Sequence, residues 1–179
     1  MITYIAFLRG INVGGHHKIK MADLREMLQK MNFEAIETYI QSGNIVFKTK
    51  NSNKATLEKE MKAEIAKTFG FDIPVLVRER TNLEKILKES PFTNATDIEA
   101  NKIYYVLLKN EVQESFLDNL QQENYPNELF VITKKCIYLN CRNGAGKAKL
   151  TTTILEKKLK VEATTRNHRT LLKLIELSQ

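Results

Sequence analysis

Ile2-Thr3-Tyr4-Ile5-Ala6-Phe7-Leu8 runs directly into Arg9-Gly10-Ile11-Asn12-Val13-Gly14-Gly15-His16-His17-Lys18-Ile19-Lys20, and the reading of this stretch decides the rest of the chain. The first part is nearly continuously apolar, which predicts a central strand buried on both faces. The second part holds three glycines, three Lys or Arg residues, two histidines and an asparagine. That is a long polar loop, far more than a turn needs. Beyond it Met21, Leu24, Met27, Leu28 and Met31 recur at helical spacing, with Asp23 and Glu26 in the first turns, so a helix runs to about Asn32.

The pattern continues outward in a regular order. Ala35 to Ile40 and Ile45 to Thr49 are short strands, joined by the hairpin turn Gln41-Ser42-Gly43-Asn44. Leu57, Met61, Ile65 and Phe69 mark a second helix, with Gly70 just past its end. Ile73 to Val77 is the next strand, and Thr81-Asn82-Leu83-Glu84 reads as a capping box opening a helix to Lys88. Ser90 to Asn101 has no periodicity and contains Pro91, so it reads as a boundary.

The same order then recurs. Ile103 to Leu108 is a strand, Glu111 to Asn124 a helix, and Leu129 to Thr133 with Cys136 to Cys141 a hairpin. Lys147 to Lys160 is a helix and Val161 to Thr165 a strand. A terminal helix turns Leu171, Leu172 and Ile175 inward. The expected fold is therefore α+β: two ferredoxin-like βαββαβ subdomains in tandem, with an extra C-terminal helix. The first subdomain with its linking helix spans 1–90, the linker 91–101 and the second subdomain 102–179. In a βαββαβ unit the loop after the first strand and the hairpin between the second and third lie at one end. Arg9 to Lys20 should therefore stand beside Gln41 to Asn44. By the same topology Arg142 to Lys149 should stand near Thr164 to Arg169.

Charge is unevenly placed along the 179 residues. Residues 1–133 carry 17 Lys+Arg against 18 Asp+Glu, net −1, and residues 134–179 carry 11 against 3, net +8. A basic excess gathered at one end of a chain points to an anionic partner. No apolar run approaches the roughly 20 residues of a membrane helix, so no membrane association and a cytoplasmic location are expected. Cys136 and Cys141 lie on one predicted strand, five positions apart, and face opposite ways, which predicts two reduced thiols.

Familiar motifs fail on spacing. Asn143-Gly144-Ala145-Gly146-Lys147-Ala148-Lys149 has Cys141 where a P-loop needs glycine and Ala148 where it needs a hydroxyl. What survives is an anion site, with glycines leading into a helix and Lys147 and Lys149 adding charge. Gly10 to Gly15 does not match the dinucleotide fingerprint. Asn12 reads either as a ligand contact or as a brace for its own loop, and Arg9 either as a phosphate contact or as a structural ion pair. Arg166, placed in a helix's first turn, opposes the dipole and calls for an anionic partner, while Thr165 or Asn167 is a natural cap. His16, His17 and His168 do not make a convincing metal set, and no metal or cofactor is expected. Ser42 with His16 or His17 would be the only nucleophilic arrangement. Paired carboxylates for acid–base work are absent from both clusters.

Four blocks carry a family likeness: Phe7-Leu8-Arg9-Gly10-Ile11-Asn12-Val13-Gly14-Gly15, Met21-Ala22-Asp23-Leu24-Arg25, Thr38-Tyr39-Ile40-Gln41-Ser42-Gly43-Asn44 and Ala163-Thr164-Thr165-Arg166-Asn167. With these the chain resembles the bacterial domain of unknown function 1697 family. It departs from the family pattern at Ala148, where serine is frequent, and at His168, where tryptophan is frequent. The resemblance implies a cytosolic bacterial protein with two ferredoxin-like subdomains, and it brings no established activity.

The leading expectation is a protein that binds a phosphate-bearing ligand, a nucleotide or nucleic acid, in a cleft between the subdomains. Arg9, Lys18, Lys147, Lys149, Arg166 and Arg169 supply charge. Asn12, Gly14, Gly15, Gln41, Ser42, Asn44 and Asn167 orient the ligand. The strands lack an RNP-like aromatic motif, which argues against an RRM-type stacking platform. The alternatives are a small-molecule hydrolase or transferase using a Ser/His site in the N-terminal loops, and a structural or partner-binding protein.

Overall fold

The computed structural model describes residues 1–179. Its elements follow in the order β1 (Ile2–Leu8), α1 (Met21–Lys30), β2 (Glu34–Tyr39), β3 (Asn44–Thr49), α2 (Lys54–Phe69), β4 (Val75–Glu79), α3 (Arg80–Lys88), α4 (Ala95–Glu99), β5 (Ile103–Leu108), α5 (Glu114–Gln121), β6 (Glu128–Ile132), β7 (Cys136–Cys141), α6 (Thr152–Leu159), β8 (Ala163–Asn167) and α7 (His168–Leu177). The strands form two four-stranded sheets, ordered β2-β3-β1-β4 and β6-β7-β5-β8. Every pairing is antiparallel. The tandem βαββαβ arrangement is present, with β1 and β5 as the corresponding central strands. The chain divides into two compact units, residues 1–84 with 173–179, and residues 85–172.

In the first unit Tyr4 to Leu8 are buried without interruption, as a strand covered on both faces requires. Tyr4, Ala6 and Leu8 share one face with Ile45 and Phe47 of β3 and Val75 and Val77 of β4. Leu24, Met27 and Leu28 of α1 and Leu57, Met61 and Ile65 of α2 pack over them. Asn53 caps α2 by accepting from the Thr56 amide, and Gly70 ends it at φ 74, the left-handed conformation glycine adopts without strain. In the second unit Val106 and Leu108 of β5 join Ile137, Leu139 and Cys141 of β7 under Leu117 and Leu120 of α5 and Leu155 and Leu159 of α6. Cys136 falls on the opposite face, and both thiols are free and buried.

Several boundaries differ from the expected ones, each for a local reason. α3 starts at Arg80, directly after β4, so Thr81 lies inside the helix and the capping box does not form. Arg80 instead bridges Glu84 within the helix at 2.6 Å. Residues 91–101, expected as a linker, carry α4, capped by Asn94 accepting from the Asp97 amide. α6 starts at Thr152 rather than Lys147, because Thr151 is its cap and Ala148 is extended. β8 extends to Asn167, which moves Arg166 from the helix into the strand. In α7 the buried leucines are Leu171 and Leu174, while Leu172 is 49% exposed.

Candidate functional site

The first polar loop and the first hairpin are built into one piece. The amide of Leu8 donates to the Gly43 carbonyl at 2.7 Å. Gly43 has φ +76, and a Cβ there would lie 2.5 Å from the Leu8 Cβ and 3.0 Å from Ile11 Cδ1. Only glycine permits that approach and that φ together. Asn12 then clamps the loop to the hairpin. Its Nδ2 donates to the carbonyls of Ile19 and Gln41, both at 2.9 Å, and its Oδ1 accepts from the Ile19 amide at 2.9 Å. Both amide hydrogens of Asn12 are thereby engaged within the protein, so its role here is the brace.

The remainder of the loop is closed by His17. Its Nδ1 lies 3.1 Å from the Gly10 carbonyl and its ring lies 5.1 Å from that of Phe71. A carbonyl only accepts, so Nδ1 carries the proton. Gly10, Asn12, Gly14, Gly15 and His17 all have positive φ, which is why the stretch concentrates glycine and asparagine. Ile40, at the hairpin, also sits at φ 48, an uncommon conformation for a β-branched residue, and is 52% exposed. Asn44 is fully buried and donates to the Tyr39 carbonyl and to Ser42 Oγ. Asn44 and Ser42 thus hold the turn, and neither His16 nor His17 bonds the serine hydroxyl. Arg25 of α1 adds a further tie to β2, donating to Thr38 Oγ1 at 2.6 Å.

Between loop, hairpin and α1 lies a pocket of about 600 Å³. Asn12, Gly15, Lys18 and Gln41 line it, together with Lys20 and Asp23; Ile19, Met21 and Phe69 supply apolar wall. Lys18 and Lys20 are exposed and form no ion pair. Lys20 also occupies the N-cap of α1 and makes no side-chain capping bond. The positive end of that helix carries one acid, Asp23 in its first turn, against the two uncommitted ammonium groups of Lys18 and Lys20. Arg9 does not line the pocket; it is half-buried, and its amide donates to Pro74. Gly14, Ser42 and Asn44 also lie outside the lining. Of the lining residues, Ile19, Lys20, Met21, Asp23 and Phe69 were not expected from sequence as ligand contacts. Phe69 belongs to α2, and no local signal connects it with the loop.

The second cluster is arranged differently from the expectation. Gly144 to Lys149 does not lead into a helix: Ala145–Lys147 form one turn of 3-10 helix and the chain then extends to Thr151. The loop is tied to the start of β6. The Arg142 amide donates to the Asn127 carbonyl, Asn143 Nδ2 to Asn127 Oδ1, and the Lys149 amide to Glu128 Oε1. A carboxylate thus already occupies the Lys149 amide. The side chains of Lys147 and Lys149 are exposed. Arg166 pairs in register with Tyr105, and its guanidinium donates to Thr164 Oγ1 and to the Thr165 carbonyl. Because it lies in β8, the helix-dipole argument does not apply to it. Burial lowers it to about 10, so it stays charged at neutral pH. Asn167 caps α7 by accepting from the Thr170 amide at 2.8 Å, and Arg169 is exposed. Among all residues, no group of three or more His, Cys, Asp or Glu side chains could hold a metal.

Comparison with known proteins bears on these clusters. The family model described as "Protein of unknown function (DUF1697)" matches residues 1–138. The chain belongs to this family. The matched region of this DUF1697 protein includes the clamped loop and hairpin and stops short of Lys147, Lys149, Arg166, Asn167 and Arg169. A conserved bacterial protein from Streptococcus pneumoniae, SP0830, has a similar solved structure, with TM-score 0.78 and 23% identity over 99% of this chain and 98% of that one. At that identity the likeness is one of fold. No curated protein matches the chain. No helix of this DUF1697 protein is long and apolar enough to cross a membrane.

His168, at the start of α7, has a defined place. Its Nδ1 lies 2.8 Å from the hydroxyl of the fully buried Tyr105. Burial lowers the His168 pKa and raises that of Tyr105. Both groups are neutral near pH 7, so the pair is a hydrogen bond and not an ion pair.

Proposed function

We propose that this protein binds a phosphate-bearing ligand, a nucleotide or nucleic acid, in the pocket between the Arg9–Lys20 loop and the Gln41–Asn44 hairpin. One observation carries the reading: Lys18 and Lys20, two cations that form no ion pair, line one pocket with a single acid, Asp23, and the pocket is large enough for a small organic ligand. The phosphate meets Lys18 and Lys20, whose two charges outweigh that of Asp23 in the same wall. Gln41 and Gly15 orient the polar portion, and Met21 and Phe69 meet the apolar portion. Asn12 and Gly43 act through the backbone they hold. The Ser/His alternative gains nothing from the geometry, since the Ser42 hydroxyl is used in the turn and the His17 ring in the loop.

The test is a thermal-shift screen of the full chain against nucleotides and phosphorylated metabolites, with filter binding of RNA and DNA at low salt. A ligand that binds only the native state at a hundred times its Kd stabilises it by about 2.7 kcal/mol. A melting temperature unmoved by every compound, with no nucleic acid retained, overturns the reading.

A further inference from the structure

The start of β6 in the second unit holds a second pocket, of about 340 Å³, with a buried acid in its wall. Glu128 is only 4% exposed. Its Oε1 accepts from the Lys149 amide at 2.5 Å, whereas Oε2 is buried and receives no hydrogen bond from the protein. A buried carboxylate oxygen without a donor is costly, because it has lost water and gained nothing in return. The other acid in the wall already has a donor on each oxygen: Glu123 takes the Tyr125 hydroxyl on one and the Lys158 ammonium on the other, both at 2.5 Å. Glu128 is therefore the carboxylate with capacity to spare.

Its surroundings narrow what would use that capacity. Tyr125 and Phe130 meet edge to face, with ring centroids 6.0 Å apart, and both line the pocket. Aromatic rings beside a carboxylate suit an ammonium group. Arg142 lines the same pocket, is exposed, and its side chain forms no ion pair. A ligand that carries an anion as well as a cation would use Arg142; one that is only cationic would not. Leu129 and Pro126 complete an apolar flank. We infer that this pocket binds a small zwitterion of the amino-acid type, its ammonium donating to Glu128 and its carboxylate facing Arg142. The site shares no residue with the pocket proposed for phosphate.

Two-dimensional amide NMR of the full chain tests this with a panel of free L-amino acids, taking L-leucine with its decarboxylated amine and its deaminated acid as matched controls. The expected result is saturable movement of the Glu128, Leu129, Phe130 and Arg142 amides by at least one amino acid, weaker with either control. Glu128→Gln weakens binding about tenfold or more, the effect of losing a charge-assisted hydrogen bond. Arg142→Ala removes the preference for the amino acid over the amine. The same spectra report whether each variant is folded, and if Glu128→Gln is not, the exposed Arg142→Ala still decides. No movement of these amides with any amino acid, or identical titrations in folded variants, overturns the inference.

Discussion

The Cα of Gly43 lies against Leu8 so closely that a Cβ would stand 2.5 Å from the Leu8 Cβ. This contact joins the end of the central strand to the hairpin, and both walls of the first pocket depend on it. Gly43→Ala must move backbone as well as adopt φ +76, and is expected to cost about 2–4 kcal/mol in urea unfolding. Gly10→Ala is the control. Gly10 has φ +73 but nothing within 4 Å of an added Cβ, so only the conformational cost of about 1–2 kcal/mol remains. Equal losses for the two variants would refute the packing argument.

Asn12 offers a cleaner substitution. Asp has the same shape and tolerates the left-handed φ of 54 at this position. It keeps the oxygen that accepts from Ile19 but presents a second oxygen to two carbonyls. Asn12→Asp is expected to lose about 2–3 kcal/mol of stability and to abolish any ligand-induced thermal shift. Stability equal to wild type would show that the clamp is not formed in solution.

Lys18 and Lys20 make the opposite prediction. They are exposed and unpaired, so Lys18→Glu with Lys20→Glu should change unfolding stability by no more than about 1 kcal/mol in all. Ligand affinity should fall, and if the ligand is nucleic acid the salt dependence of binding should become shallower by about two phosphate contacts. Isothermal titration at two salt concentrations reads both effects. Unchanged affinity in the double variant moves the site elsewhere.

His168 should make stability depend on pH. Burial lowers its pKa below the ordinary 6.5. The folded protein therefore binds this proton less readily than the unfolded chain does. The stabilising contribution is complete above about pH 6.5 and is lost as pH falls through that value toward the lower folded pKa. Urea midpoints measured from pH 7.5 to 5 should fall in wild type and fall less in His168→Gln, which keeps a polar group near the Tyr105 hydroxyl. Parallel profiles would exclude His168 as the source.

Much of this molecule was legible in the residues alone. The seven-residue apolar run predicted a doubly covered β1, and the alternation of periodicities predicted the order of elements in both units. The β7 thiols were readable from spacing, and Asn167 was one of two caps that local chemistry offered, Thr165 being the other. Sequence also placed Asn12, Gly15, Lys18 and Gln41 in one cluster, because βαββαβ topology fixes which loops share an end. These properties are local or follow from connectivity.

Tertiary structure decided the uses of the side chains. Asn12 could have faced a ligand, but two backbone carbonyls brought by the fold claim its amide. The Gly144–Lys149 loop reads as a helix entrance, but Glu128, distant in sequence, takes the Lys149 amide and Thr151 starts the helix instead. Phe69 reached the first pocket from α2, and Glu128 was left with an unpartnered oxygen; neither fact has a local signal. A hydrogen-bonding group is spent on whichever partner lies nearest in space, and distance in space is what a linear pattern does not encode.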